Sequence, residues 1–295
     1  IHSKVEGAVE YISLLFIPAH APFDFYQREA SSGIRLYSKN VFVMDNCKDL
    51  LPDYLRFVRG LVDSPDFSLN ISRELLQHSS QLKKVGRNLE KSILKTLESM
   101  LTKERTKYES FWKEYGKAIK SGVYSDFQNR EKLQDLLLFP SSQSADGLTT
   151  LADYVSRMAE GQTAIYYATG KDRGAAERLP QMELLREKGV EVLYLLDRVD
   201  EFAIDSLRQY KDKKFQSVSR GDLQLDGIDN AAQEETEQAA KDSQDVLTAV
   251  KEHLGDKVAE VKISSRLKSS PVCLVSADSG ISLSMEQILS EIHET

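Results

Sequence analysis

Cysteine is scarce: the 295-residue chain holds two, Cys47 and Cys273, far apart in sequence. That excludes a disulfide framework and a cysteine metal cluster, and it fits a reducing compartment. Seven prolines and 15 glycines are too few for a fibrous or low-complexity chain. No apolar run approaches the roughly 18 residues a spanning helix needs, and no signal-peptide pattern opens the chain. The histidines, His2, His20, His78, His253 and His293, are scattered without metal-ligand spacing. Dinucleotide, nucleophile-elbow and zinc-protease motifs are all missing. Gly170-Lys171 has the place of a phosphate loop, but Asp172 stands where Ser or Thr is required and Ile165 where the first glycine should be. A turn is the better reading, and nothing here makes a self-contained enzyme.

What is present is a globular composition, 41% hydrophobic and 29% charged. The length exceeds the usual domain of about 100–200 residues, so two or three units are expected. A net charge of −7 argues against a surface built to coat nucleic acid. The acidity is local. Residues 222–260 carry 11 acidic side chains and three lysines, a net of −8, so the rest of the chain sums to about +1. An acidic run of that kind is most often a solvated helix face. The chain starts at Ile1 and stops at Thr295 in an expected helix, which suggests a piece of a longer protein.

Val9 to Ile17 reads as a largely buried strand, ended by Pro18, and Ile34–Tyr37 and Val41–Met44 as two more. Leu51, Tyr54, Leu55 and Val58 repeat at helical spacing and predict a helix over 49–60. Leu82, Val85, Leu89, Ile93 and Leu97 predict a longer one, Tyr108, Phe111, Trp112, Tyr115 and Ile119 another, and Leu133, Leu136 and Leu137 a short third. After the polar linker at 140–147, a helix over 151–158, a strand over 164–168, a helix over 174–188 broken near Pro180, a strand over 190–195 and a helix over 201–209 alternate. That order predicts a second α/β layer with a parallel sheet. The acidic stretch 228–254 reads as helix, and 258–263 and 272–275 as strands.

Leu69-Asn70-Ile71-Ser72-Arg73-Glu74-Leu75-Leu76-Gln77 is the most informative stretch. If Ser72 caps a helix, Arg73 lies in its first turn, where the dipole disfavours a cation by roughly 0.3–1 kcal/mol. An arginine there suits an outside anion such as a terminal phosphate, with Gln77 one turn on along the same face. A surface ion pair with Glu74 or Asp66 is the other reading.

That stretch, together with Tyr54-Leu55-Arg56-Phe57-Val58-Arg59-Gly60-Leu61-Val62-Asp63-Ser64, resembles the middle segment of the ninety-kilodalton heat-shock chaperone family. Leu15-Phe16-Ile17-Pro18, Ala21-Pro22-Phe23-Asp24, Asp153 to Met158, Ile165-Tyr166-Tyr167 and Asp197 to Phe202 extend the resemblance in order along nearly the whole chain, with the bacterial form most similar. The resemblance implies an α/β fold, α+β overall. Two α/β/α sandwich layers (1–102 and 141–221) would be joined by a short helical coil (103–140) and followed by a partial α+β C-terminal unit (222–295).

It implies further that Arg73 contacts the γ-phosphate of ATP held by an N-terminal domain lying outside this chain, with Gln77 and Asn70 supporting the loop. ATP and Mg would belong to the full-length protein, and this chain alone would hydrolyse nothing. Client proteins would meet Glu201, Phe202 and Asp205, and the apolar, methionine-bearing stripe of Leu283, Met285, Ile288 and Leu289. A bacterial member carries Trp where this chain has Phe202 and Asn where it has Asp205. Both client surfaces have ordinary core packing as their alternative. The implied setting is a cytoplasmic homodimer meeting clients and co-chaperones, without nucleic acid or membrane. A scaffold that only links nucleotide-binding and dimerisation domains is the rival reading.

Overall fold

A computed structural model describes residues 1–7, 9–27, 33–67, 80–144, 147–221, 239, 242–264 and 266–276. The chain divides into two compact units, 1–138 and 139–295, each taken here by itself.

The first unit opens with β1 (His2–Val5), β2 (Tyr11–Phe16), β3 (Gly33–Ser38), β4 (Val41–Met44) and β5 (Arg59–Asp63). They form one sheet in the order β1-β2-β5-β3-β4, antiparallel except for the β3–β5 pair. Three helices follow: α1 (Ser80–Lys103), α2 (Arg105–Ser125) and α3 (Arg130–Gln134). The apolar periodicities become buried faces as expected, with Leu82, Val85, Leu89, Ile93 and Leu97 inside on α1. On α2 an aromatic file packs edge and tilt: Phe57 lies 5.2 Å from Phe111 and 5.0 Å from Tyr115, and Tyr108 stacks 6.2 Å from Trp112. Such pairs contribute about 0.5–1.5 kcal/mol beyond the area they bury. The Tyr108 hydroxyl donates to the Leu136 carbonyl at 2.6 Å, which fixes the chain after α3.

Two expectations fail in this unit. Strand β2 is buried on one face only: Tyr11, Ser13 and Leu15 point inward while Ile12, Leu14 and Phe16 are exposed, so the period of two governs rather than the apolar run. Residues 49–60 do not form a helix. Pro52 stands at the N-cap of a single 3-10 turn, Asp53–Leu55, and the chain then enters β5, where Gly60 adopts φ +140°. Apolar spacing there reflects a folded-over loop: Leu51, Tyr54, Leu55 and Val58 are all buried.

Hydrogen counting singles out one cluster between these elements. The Tyr54 hydroxyl lies 2.9 Å from Glu90 Oε1 and 3.1 Å from Asp126 Oδ2, yet it carries one hydrogen. Asp126 also accepts from the Gln128 and Asn129 amides and from the Asn129 side chain, which favours its ionised form. Glu90 moves the other way: its pKa is raised, first by burial and then by the Asp126 charge. A raised folded-state pKa means stability that is complete below the unfolded value, about 4.3, and is lost as pH rises through the folded one. Glu90→Gln, which keeps a donor toward Tyr54, is expected to flatten that dependence and to gain up to about 1 kcal/mol at neutral pH. Thermal melts of both proteins across pH 4–8 check this; parallel pH profiles would refute it.

The second unit begins with the two-residue strands β6 (Leu138–Phe139), at the boundary, and β7 (Thr149–Thr150). Then come α4 (Leu151–Arg157), β8 (Ala164–Thr169), α5 (Arg173–Glu177), a 3-10 turn at Pro180–Met182, α6 (Glu183–Glu187), β9 (Val192–Leu195) and α7 (Arg198–Leu207). After α7 come β10 (Gln209–Tyr210), β11 (Lys213–Ser217) and α8 (Gln244–Leu254). The sheet order is β10-β11-β8-β9, with β11, β8 and β9 parallel, as strands alternating with helices require. The helix expected over 174–188 is split by Pro180 into α5, the 3-10 turn and α6. Strand β8 is covered on both faces: Tyr166 and Ala168 face a cluster with Ala176, Met182 and Leu185. Tyr154 ties α4 to that sheet, donating to the Glu191 carbonyl at 2.7 Å and accepting the Tyr166 amide at 3.0 Å.

The strands expected over 258–263 and 272–275 are not formed among the described residues; Ser276, just beyond the second, makes an isolated bridge to Arg220. Side chains take the place of a ladder. Arg266 is buried and donates to the carbonyls of Val218, at 2.9 Å, and Gly221. The Glu183 carboxylate gathers the amides of Lys268 and Ser269 and the Ser270 hydroxyl at 2.6, 2.8 and 2.6 Å, which holds its pKa well below the usual range. The acidic helix is seen as α8; the rest of that stretch, and the terminal stripe, lie almost wholly outside the described residues.

Candidate functional site

Asn70, Arg73 and Gln77 lie outside the described residues, in the 68–79 stretch that leads from β5 to α1. Its entry point is well fixed. Ser64 donates its hydroxyl to the Glu10 carbonyl, and its amide bonds the Tyr37 carbonyl at 3.2 Å. The Asp66 carboxylate accepts the Glu10 amide at 2.8 Å, and Ser38 Oγ donates to the Phe67 carbonyl at 2.5 Å. The end of β5 is thereby tied to β3 and to the start of β2. On the far side, Gly86 of α1 passes so close to Leu50 that an added Cβ would lie 2.5 Å from its carbonyl oxygen. Both ends of the stretch thus rest on rigid elements, a requirement for any side chain that must reach a fixed point.

The other described site residues lie on α7. Asp197 and Asp200 close a capping box at its start, with Asp200 Oδ2 accepting the amides of Leu196 and Asp197 at 2.9 Å each. Successive residues then take different environments. Glu201 is buried, Phe202 is 39% exposed, and Asp205 is exposed. Phe202 is therefore not a core residue of this helix, and Glu201 is not on the surface beside it.

Asp205 belongs instead to a cleft of about 190 Å³. Its walls are Tyr167 of β8, Ile204 and Asp205 of α7, Arg208, Phe215 of β11, and Arg220. Arg208 caps α7 at φ +61°, a region that favours glycine, so the helix ends in a cation with a strained backbone. Burial, reinforced by the Asp205 charge, pushes the Tyr167 hydroxyl up to about 12, while Arg220 opposes the rise. The phenol is thus neutral, a hydrogen-bonding group between one carboxylate and one guanidinium. Tyr167, Arg208, Phe215 and Arg220 are absent from the residues read as functional in the sequence. Three of its eight lining residues, Phe215, Gln216 and Ser217, come from β11, a strand not expected from the sequence.

Leu283, Met285, Ile288 and Leu289 lie outside the described residues. Cys47 and Cys273 are free thiols. Among the described residues no three His, Cys, Asp or Glu gather as metal ligands, and no helix is long and apolar enough to cross a membrane.

Comparison with known proteins bears on the whole chain. The family model described as Hsp90 protein matches residues 1–293. The chaperone protein HtpG of Oceanobacillus iheyensis is 51% identical over 290 residues, covering 98% of this chain and 46% of the relative. HtpG of Bacillus subtilis is 48% identical, covering 100% of this chain and 47% of the relative. The chain thus spans a little under half the length of the curated relatives it matches. Among solved structures, the middle domain of a Plasmodium falciparum heat shock protein superposes with a TM-score of 0.66 at 31% identity, over 74% of this chain and 86% of that one.

Proposed function

Since this chain belongs to the Hsp90 protein family, we propose that it is the middle part, with the start of the C-terminal part, of an ATP-dependent dimeric chaperone of the cytoplasm. The observation that carries this reading is the family match over 1–293 together with likeness to a protein described as a middle domain. The units at 1–102, 103–140, 141–221 and 222–295 are taken as its subdomains, connector and partial C-terminal domain.

In this reading Arg73 completes an ATPase site whose nucleotide and Mg are held mainly by an N-terminal domain. Its guanidinium stabilises the charge on the transferring phosphoryl group, Gln77 and Asn70 support the loop, and none of the three acts as a general base. Clients are held on α7, where exposed Phe202 supplies an aromatic contact and Asp205 a rim charge. The stripe of Leu283, Met285, Ile288 and Leu289 adds an adaptable apolar surface.

The rival is a scaffold without a catalytic contribution. The whole protein is expected to hydrolyse ATP and to suppress light scattering by a heat-denatured reporter enzyme. This chain alone is expected to hydrolyse none. ATP turnover by the purified chain, abolished by Arg73→Ala, would contradict the split-site assignment.

A further inference from the structure

We infer that the cleft between α7 and β11 binds a carboxylate side chain of an extended peptide segment that carries an aromatic or apolar residue next to it. The inference deepens the client-binding reading of α7 and rests on it.

Arg220 presents an unmatched donor. Arg220 Nε is buried and has no hydrogen-bond partner. Ser13, Asp63, Gln181 and Asp200 are the other described residues with such an atom, and none of those atoms belongs to a cation. A buried, unpaired N–H on a charged group costs more than a neutral one, and an incoming acceptor recovers that cost. A carboxylate suits a guanidinium best, because its two oxygens match the planar fork.

Placement makes Arg220 usable. It lines a cleft of about 190 Å³ rather than a closed core, so the acceptor can arrive from outside. The neutral phenol of Tyr167, hydrogen-bonded to Ser217, lines the same cleft. Arg208 adds a second positive charge at the end of α7. Asp205, three residues before Arg208 on the same helix, adds one exposed carboxylate to the lining. The lining thus carries two guanidinium groups, Arg208 and Arg220, against one carboxylate, so its net charge favours an anionic side chain.

An apolar partner residue follows from the rest of the wall. Ile204 and the ring of Phe215 line the cleft, and Phe202 lies three residues before Asp205 on α7, 39% exposed. A segment whose acidic side chain enters the cleft would lay a neighbouring aromatic on these surfaces, where ring contacts add to the ionic one.

The test is fluorescence anisotropy with the full 295-residue chain and three short labelled peptides that differ at one position: Glu, Gln or Lys beside a Phe. The Glu peptide is expected to bind about tenfold more tightly than the Gln peptide, and the Lys peptide more weakly still. In Arg220→Gln the Glu-over-Gln preference should fall below about twofold, while Arg220→Lys keeps part of it. Added salt should weaken the Glu peptide more than the Gln peptide. Should Arg220→Gln fail to fold, Arg208→Gln and the salt series on the unaltered chain carry the same comparison. Equal binding of Glu and Gln peptides, or a preference that survives Arg220→Gln, overturns the inference while leaving client binding intact. If no peptide binds at all, the client-binding reading of α7 falls with it.

Discussion

Arg73→Ala in the whole protein is expected to lower ATP turnover by about 10²-fold or more while nucleotide affinity stays within about twofold. The size follows from what the residue is asked to do. An arginine that reaches a transferring phosphoryl group contributes little to ground-state binding, because most phosphate contacts come from the nucleotide domain. It contributes in the transition state, where charge spreads over the equatorial oxygens. Loss of an interaction made only there lowers kcat and leaves KM nearly unchanged. Arg73→Lys should recover only part of the rate, since an ammonium keeps the charge but loses the planar fork. Isothermal titration with a non-hydrolysable nucleotide and steady-state turnover separate the two quantities. A rise in KM at unchanged kcat would make Arg73 a binding residue; an unchanged rate would remove it from the site.

Gly60→Ala is expected to cost roughly 2–6 kcal/mol, a large share of a domain's usual stability. Two terms add. Gly60 has φ +140°, and an L residue held there is strained by about 1–3 kcal/mol. Its Cβ would lie 2.0 Å from the Leu14 carbonyl oxygen and 2.9 Å from the Leu15 Cα, backbone atoms of the neighbouring strand that cannot rotate away. Forcing them apart costs a further 1–3 kcal/mol or so. Strand β5 lies between β2 and β3, so the damage reaches the pairs on both sides. Gly7→Ala is the control, since nothing lies within 4 Å of its Cβ. Urea unfolding followed by the single tryptophan, Trp112, buried in this unit, reads both variants. A loss under about 1 kcal/mol for Gly60→Ala would contradict the geometry.

Much of this fold was legible where one period governs a long segment. The faces of α1 and α2 follow from Leu82 to Leu97 and from Tyr108 to Ile119, because a helix of six or seven turns leaves its repeat in the sequence. The parallel sheet of the second unit followed from alternation, and the break at Pro180 from its missing N–H. Tertiary placement hid the rest. Leu51 to Val58 has helical spacing because a loop folded over the core buries the same residues. Ile12, Leu14 and Phe16 read as core yet form the outer face of β2. The segment after α8 is apolar enough for strands but is held by Glu183, some 85 residues earlier, and by its own Arg266 reaching back to Val218 and Gly221.

The candidate sites divide in the same way. Arg73 gained its role from resemblance, because an arginine near a helix start is ambiguous between a phosphate contact and a surface ion pair. The cleft at Arg220 left no local mark at all. It joins β8, α7 and β11, elements whose meeting is decided by strand order, and Arg220 is notable only because its Nε has no partner once the chain is folded.

The most direct test of the central claim mixes this chain with a separately prepared nucleotide-binding domain of the same protein and measures ATP hydrolysis as the chain is titrated in. The expected result is turnover that rises with chain concentration and saturates, and that does not rise when the added chain carries Arg73→Ala. Turnover that ignores the chain, or that rises equally with the Arg73→Ala chain, would contradict the account and leave the scaffold reading in its place.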